Sequence, residues 1–184
     1  SKGALYEGGI RVPCAVWWSG IENPGRSCDE PILSMDFYPT LAALAGAKLP
    51  NDQQIDGMNL LPVISQGSTL DRESVFWHFP CYIGRGEPCS AIRSGDWKLI
   101  QKIEDQSLEL FNLSDDPGET RNLATRLPER TQELKDSLRQ WLTSLAAPTP
   151  TEPNPSFDPT SVRQGKKQRG RGANTNRKKQ LSVN

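Results

Sequence analysis

The chemistry available to this sequence gathers first at its start, in Lys2-Gly3-Ala4-Leu5-Tyr6-Glu7-Gly8-Gly9-Ile10-Arg11-Val12-Pro13. A lysine ammonium is a compact cation with three rotatable donors, fit to grip an anion as a point charge. The glycine pair gives the backbone access to positive φ, so Lys2 stands on a short polar loop that empties into an apolar run. We read a functional site at residue 2. Glu7 and Arg11 lie four residues apart and are expected to form a buried ion pair that braces the loop, since such pairs more often fix geometry than perform chemistry. His78 is the single histidine, set in Phe76-Trp77-His78-Phe79-Pro80; beside aromatics it reads as a packed core or edge side chain before it reads as a catalyst. Four cysteines, Cys14, Cys28, Cys81 and Cys89, fit no zinc spacing. Cys14 reads as a small buried thiol, while Cys81 and Cys89 could pair across a short loop in an oxidising compartment or remain free.

These groups need elements to hold them. Val12 to Ser19 reads as a buried strand, with a turn after it at residues 20–26. A helix is expected from Asp36, whose carboxylate can cap the first amides, through Leu41 and Leu44 to Gly46, a natural C-terminal stop. A short helix is expected from Met58 to Gln66. Four strands follow, Ser74 to Phe79, Ser90 to Ser94, Trp97 to Ile103 and Leu108 to Asn112, the last three joined by tight turns at Ser94-Gly95-Asp96 and Glu104-Asp105-Gln106. Arg93 and Lys98 read as hairpin charges and Trp97 as core. From Pro128 to Leu145, Leu134, Leu138, Trp141, Leu142 and Leu145 recur at three- and four-residue steps, which predicts a helix lying on one face of the antiparallel meander.

Composition narrows the class. With 35% hydrophobic residues, 15 prolines and 15 glycines among 184 residues, the chain suits turn-rich α/β or α+β structure. No apolar run reaches the ~20 residues of a membrane helix, and no leader pattern opens the sequence. The net charge of zero hides an asymmetry: residues 163–184 hold eight of the 22 basic residues and no acid, leaving 14 basic against 22 acidic residues before them. Lys166, Lys167, Arg169, Arg171, Arg177, Lys178 and Lys179 could neutralise phosphates, but no aromatic residue accompanies them for base stacking. The tail from residue 163 is expected to be a disordered, solvated extension, and residues 148–162, rich in proline, an extended segment.

Lys2-x-x-x-Tyr6-Glu7-Gly8-Gly9-x-Arg11-x-Pro13 resembles a signature of the sulfatase family, within the alkaline-phosphatase superfamily. Further landmarks resemble that family in order: Asp36-Phe37-Tyr38-Pro39-Thr40, Asp56-Gly57-Met58-Asn59-Leu60, Arg93-Ser94-Gly95-Asp96-Trp97-Lys98-Leu99, Glu109-Leu110-Phe111-Asn112-Leu113 and Asp116-Pro117-Gly118-Glu119-Thr120-Arg121-Asn122-Leu123. The resemblance covers residues 1–158 and implies the C-terminal part of such an enzyme, with residues 1–70 ending a catalytic α/β domain and 71–147 forming a four-stranded sheet covered by one helix.

It also implies roles. Lys2 is expected to contact the sulfate as a catalytic group, supported by Tyr6, Glu7, Gly8, Gly9 and Arg11. His78, Tyr82 and Arg85 are candidates to touch the organic portion of the substrate. The family's nucleophile is a formylglycine, made in a Cys/Ser-x-Pro/Ala-x-Arg motif, and works beside one Ca²⁺; both are expected outside this chain, which binds no metal on this reading and alone would be inert. The implied substrate is a sulfated small molecule or polysaccharide, the implied partner the preceding part of the same domain, and the implied location periplasmic or extracellular. Nucleic acid is not expected. Two rivals stay open: a phosphate-ester hydrolase of the same superfamily, and a non-catalytic module that binds polyanions.

Overall fold

A computed structural model of the chain describes residues 3–21, 24–82 and 87–152. The chain divides into two compact units, 1–147 and 148–184; of the second, residues 148–152 are described and carry no helix or strand.

The first unit is organised by an antiparallel meander of β1 (Ser74–Phe79), β2 (Cys89–Ser94), β3 (Trp97–Lys102) and β4 (Leu108–Asn112), in spatial order β1-β2-β3-β4. The register sets Trp77 opposite Ala91, Ala91 opposite Ile100 and Ile100 opposite Glu109. Side chains alternate between faces along each strand, so the sheet sorts its residues into two layers. One face carries Ile92, Leu99 and Leu110, packed beneath Leu134 and Leu138 of helix α3 (Pro128–Ser144). Pro128 opens that helix because its missing N–H would be unpaired there anyway. Trp141 extends the contact by stacking on Phe76, ring centroids 4.8 Å apart. Trp97, expected as core, is half-buried, with the Arg130 guanidinium 5.9 Å from its ring centroid.

The opposite face is covered too. Ala91, Ile100, Phe111 and Cys89 pack there with Leu5 and Leu113, and Tyr6 and Ile10 close over them. A sheet buried on both sides needs apolar residues at consecutive positions, as in Ala91-Ile92 and Leu99-Ile100.

Helix α2 (Phe37–Leu44) follows a 3₁₀ turn at Ser34–Asp36 and stops where Gly46 takes φ 65°. Asp36 does not cap it. Its carboxylate instead accepts the amides of Leu33 (2.7 Å) and Met58 (2.9 Å) and both terminal nitrogens of Arg72 (3.0 and 2.5 Å). A fully buried carboxylate next to a guanidinium is better satisfied there than at a helix start. Gly57 permits the close approach this requires, since a Cβ there would sit 2.1 Å from the Met35 carbonyl oxygen. The expected helix from Met58 is shorter, a π-helical turn at Pro62–Gln66. The amides of Met58 and Leu60 are spent on Asp36 and on Thr40 Oγ1 (2.9 Å each), which leaves them unavailable to a helix starting at Met58.

The strand expected from Val12 to Ser19 does not form. Residues 12–17 are exposed, Trp17 at 90% and Val12 at 76%, and Cys14 is exposed with them. Among the described residues no strand pairs with this segment, so its backbone has no ladder to join.

Candidate functional site

The polypeptide after Lys2 makes one helical turn, α1 (Glu7–Ile10), closed by hydrogen bonds from Gly9 N–H to Tyr6 O (2.7 Å) and from Arg11 N–H to Glu7 O (2.9 Å). Lys2 itself and Arg85 lie outside the described residues. What is described is the seat of the turn. Tyr6 sets its ring edge-on to Phe111, centroids 6.3 Å apart, and donates its hydroxyl to Glu109 at 2.5 Å. Burial and the Glu109 carboxylate together push the Tyr6 phenol well above its ordinary range, so it stays a donor at any working pH.

Glu7 is buried, but its main partner is not Arg11. Arg11 is 59% exposed and stands 3.8 Å from Glu7 Oε2, a loose surface pair. The expected buried bridge is instead made by Lys98, whose side chain is fully buried and whose Nζ lies 2.9 Å from Glu7 Oε1 and 2.8 Å from Glu119 Oε1. Lys98 is therefore no hairpin charge. It points from β3 on the Ile100 side, into the space under α1, because side chains two apart share a face.

Glu119 arrives from the loop after β4. Asp116 organises that loop by accepting the amides of Thr120 (2.9 Å) and Arg121 (2.8 Å) and the Thr120 hydroxyl (2.9 Å). Burial opposes the Asp116 charge, but these donors outweigh it and hold the carboxyl below its usual range. Asn122 then pins the loop to the sheet edge, accepting Leu110 N–H (3.0 Å) and donating to Leu108 O (3.1 Å). Glu119 Oε2 in turn accepts the Glu7 amide at 2.5 Å.

The candidate substrate contacts separate. His78 on β1 shares the α3 side of the sheet with Phe76, its Nδ1 2.8 Å from Ser90 Oγ, whereas Trp77 and Phe79 face the α1 side. Tyr82 is 61% exposed beyond the end of β1 and donates to Glu104. All four cysteines are free; Cys81 is exposed and Cys89 buried, so the alternative of a disulfide between them is set aside. The letters Cys-x-Ala-x-Arg do occur in this chain, at Cys89-Ser90-Ala91-Ile92-Arg93, but they form β2. Burial raises the Cys89 thiol pKa, so the side chain stays a neutral thiol packed on the sheet. Among the described residues no group of three or more His, Cys, Asp or Glu side chains could hold a metal ion.

A meander with one helix across it and a Tyr-Glu-Gly-Gly turn seated on its other face define the C-terminal sheet-and-helix layer of an alkaline-phosphatase-like hydrolase. The sequence profile of N-sulphoglucosamine sulphohydrolase, C-terminal, matches residues 1–147, and the chain belongs to the sulfatase family. It is 40% identical over 164 residues to a sulfatase of Formosa agariphila, covering 80% of this chain and 30% of that protein. With human arylsulfatase A it shares 34% identity over 160 residues, covering 76% and 31%. A solved structure described as BT4656 in complex with its substrate D-glucosamine-2-N,6-O-disulfate superposes with a TM-score of 0.52 at 27% identity, over 65% of this chain and 25% of that one. The chain thus spans about a third of the length of the curated relatives it matches.

Proposed function

We propose that this chain is the C-terminal part of an enzyme that hydrolyses sulfate monoesters, aryl or carbohydrate, and that Lys2 contacts the sulfate. The observation that carries the proposal is the family match over residues 1–147, with the Tyr6-to-Arg11 turn held on the sheet rather than left loose. In the proposed division, residues 1–70 end the catalytic α/β domain, 71–147 form its sheet-and-helix subdomain, 148–162 an extended segment and 163–184 a basic tail. Exposed Val12, Val16 and Trp17, with Tyr38 and Leu41 of α2, form apolar surface fit to be covered by the rest of that domain, the proposed partner.

Within that frame the Lys2 ammonium neutralises charge on the sulfate oxygens as the ester bond breaks, which helps only where its grip tightens in the transition state. Tyr6, Glu7, Gly8, Gly9 and Arg11 support its loop, and His78, Tyr82 and Arg85 contribute to the wall for the organic portion. The described residues do not fit a metal site, and the Cys-x-Ala-x-Arg letters lie in a buried strand. From the family resemblance, the formylglycine and Ca²⁺ are assigned to residues outside this sequence, and the chain alone is proposed to be inert. No described helix is long and apolar enough to cross a membrane; a periplasmic or extracellular location is proposed from the family.

The test is hydrolysis by the full-length protein of paired aryl sulfate and aryl phosphate esters, and of sulfated saccharides. Turnover of sulfate esters in preference to phosphate esters is expected. Preference for phosphate esters favours the other branch of the superfamily, and binding of sulfated polysaccharide without any turnover favours the non-catalytic module.

A further inference from the structure

Lys98 and Glu119 lie 91 and 112 residues from Glu7, yet all three meet in one buried knot. Side-chain exposure is 0% for Lys98, 3% for Glu119 and 9% for Glu7. Two carboxylates face one ammonium there, and Glu7 Oε2 has no hydrogen-bond donor among the described residues. The backbone is bent to achieve this. Glu119 sits at φ 54°, in the left-handed region that a residue with a Cβ keeps only where its surroundings enforce it. The enforcement is visible: Asp116 gathers Thr120 and Arg121, and its own carbonyl accepts the Glu119 amide at 3.0 Å. The product of that strain is a carboxylate aimed at both the Lys98 ammonium and the first amide of α1.

We propose that Lys98 and Glu119 are positioning residues for the reaction assigned above, acting as a buried clasp that fixes the turn after Lys2 in the sequence onto the rigid sheet. The catalytic meaning of the clasp rests on that reading, in which Lys2 contacts the sulfate. Simple adhesion does not require this design. An apolar trio of similar volume would hold the turn as firmly, since buried ion triads are often replaced by packed hydrophobic residues at no loss of stability. Charged hydrogen bonds add direction. Glu119 accepts the Glu7 amide and pairs with the Lys98 ammonium, which donates to Glu7 Oε1, and together these fix where α1 begins and how it is rotated; a group acting on a transition state needs that precision, because a misplacement of about 1 Å can cost on the order of 10²-fold in rate.

The experiment uses the full-length protein with Lys98→Met and, as the milder change, Glu119→Ala. Amide hydrogen exchange is followed at Gly9, Ile10 and Arg11, whose N–H groups bond Tyr6 O and Glu7 O, with Ile92 and Leu99 in the sheet as controls. In Lys98→Met the three turn amides are expected to exchange at least about tenfold faster, with Ile92 and Leu99 reporting the share that comes from lowered global stability. Against a sulfate ester that the unaltered protein cleaves, kcat is expected to fall about 10- to 100-fold with KM within about threefold, and Glu119→Ala to follow with a smaller fall. Unchanged exchange in the turn overturns the clasp. So does a lowered Tm with kcat per folded molecule unchanged, the mark of a purely structural role. If the unaltered protein cleaves no sulfate ester, the proposed function fails, while the exchange measurement still decides whether the clasp holds the turn. Should Lys98→Met fail to fold, Glu119→Ala carries both measurements.

Discussion

On one face of the sheet, α3 lays Leu134 and Leu138 over Ile92, Leu99 and Leu110; on the other, Leu5 and the Tyr6 turn cover Ala91, Ile100 and Phe111 but seat a lysine and two glutamates beside them. Both faces exclude water. They differ in what a fault would do. The α3 face is held by non-directional burial, worth about 1.5–3 kcal/mol for each fully buried leucine, and a smaller side chain leaves a cavity that neighbours partly fill. The α1 face is held by charges that have left water and depend on one another. Removing one partner strands the others. A fold can tolerate a loosely packed helix, but a reacting group needs the second kind of mounting.

The largest effect that separates the two faces is on stability. Lys98→Met should cost about 3–5 kcal/mol in urea unfolding, because Glu7 and Glu119 remain buried without their cation. Adding Glu7→Gln and Glu119→Gln to that variant should recover much of the loss. Leu138→Ala should cost about 2–5 kcal/mol and no charge change should restore it. A cost below about 1 kcal/mol for Lys98→Met would erase the contrast, since that is the scale of exposed ion pairs.

Acid should distinguish the faces next. Burial disfavours the charged forms of Asp36 and Asp116, but Arg72 and the Met58 and Leu33 amides for the first, and the Arg121 and Thr120 donors for the second, outweigh it and lower both pKa values. A carboxyl whose folded pKa lies below its unfolded value of about 3.9 stabilises the fold above that pH and loses the contribution as pH falls through the folded value. Tm should therefore drop below about pH 4. Asp116→Asn should flatten that limb, while Leu138→Ala lowers the whole curve without changing its shape. An acid limb unchanged by Asp116→Asn would contradict the role given to the loop that aims Glu119.

The smallest effect belongs to His78. It lies on the α3 side of β1, away from the turn, so His78→Ala should leave kcat nearly unchanged in steady-state kinetics, and the wall role proposed for it predicts a rise in KM of a few-fold at most, as for uniform binding. A fall in kcat larger than the rise in KM would place it in the chemistry instead.

The α3 face was legible in the sequence because its signal is local. Leucines at three- and four-residue steps and a proline at the helix start predicted α3 to within a residue at its end, and alternating runs with Gly95 in a tight turn placed the strands. The α1 face was not, because its partners are far apart. Glu7 reads most naturally with Arg11, four residues on, and nothing in the sequence near Lys98 says that it leaves the hairpin for a carboxylate 91 residues away. One signal was available: with Ser94 and Gly95 setting the turn, Lys98 shares a strand face with Ile100, so an apolar reading of that face implied a buried lysine that must find an acid. The strand expected at Val12 to Ser19 failed for a related reason, since an apolar run forms a strand only beside another strand. The Tyr-Glu-Gly-Gly turn and the order of the later motifs were legible as a family pattern, which the match over residues 1–147 bears out.

Steady-state kinetics of Lys2→Ala in the full-length protein, measured on every sulfate ester that the unaltered protein cleaves, tests the central claim most directly. A cation gripping the sulfate should be worth about 2.7–4 kcal/mol, so kcat/KM should fall on the order of 10² to 10³-fold. Retention of near-unaltered kcat/KM on all of those esters would contradict the assignment of Lys2 to the sulfate, and with it the purpose given to the turn that follows.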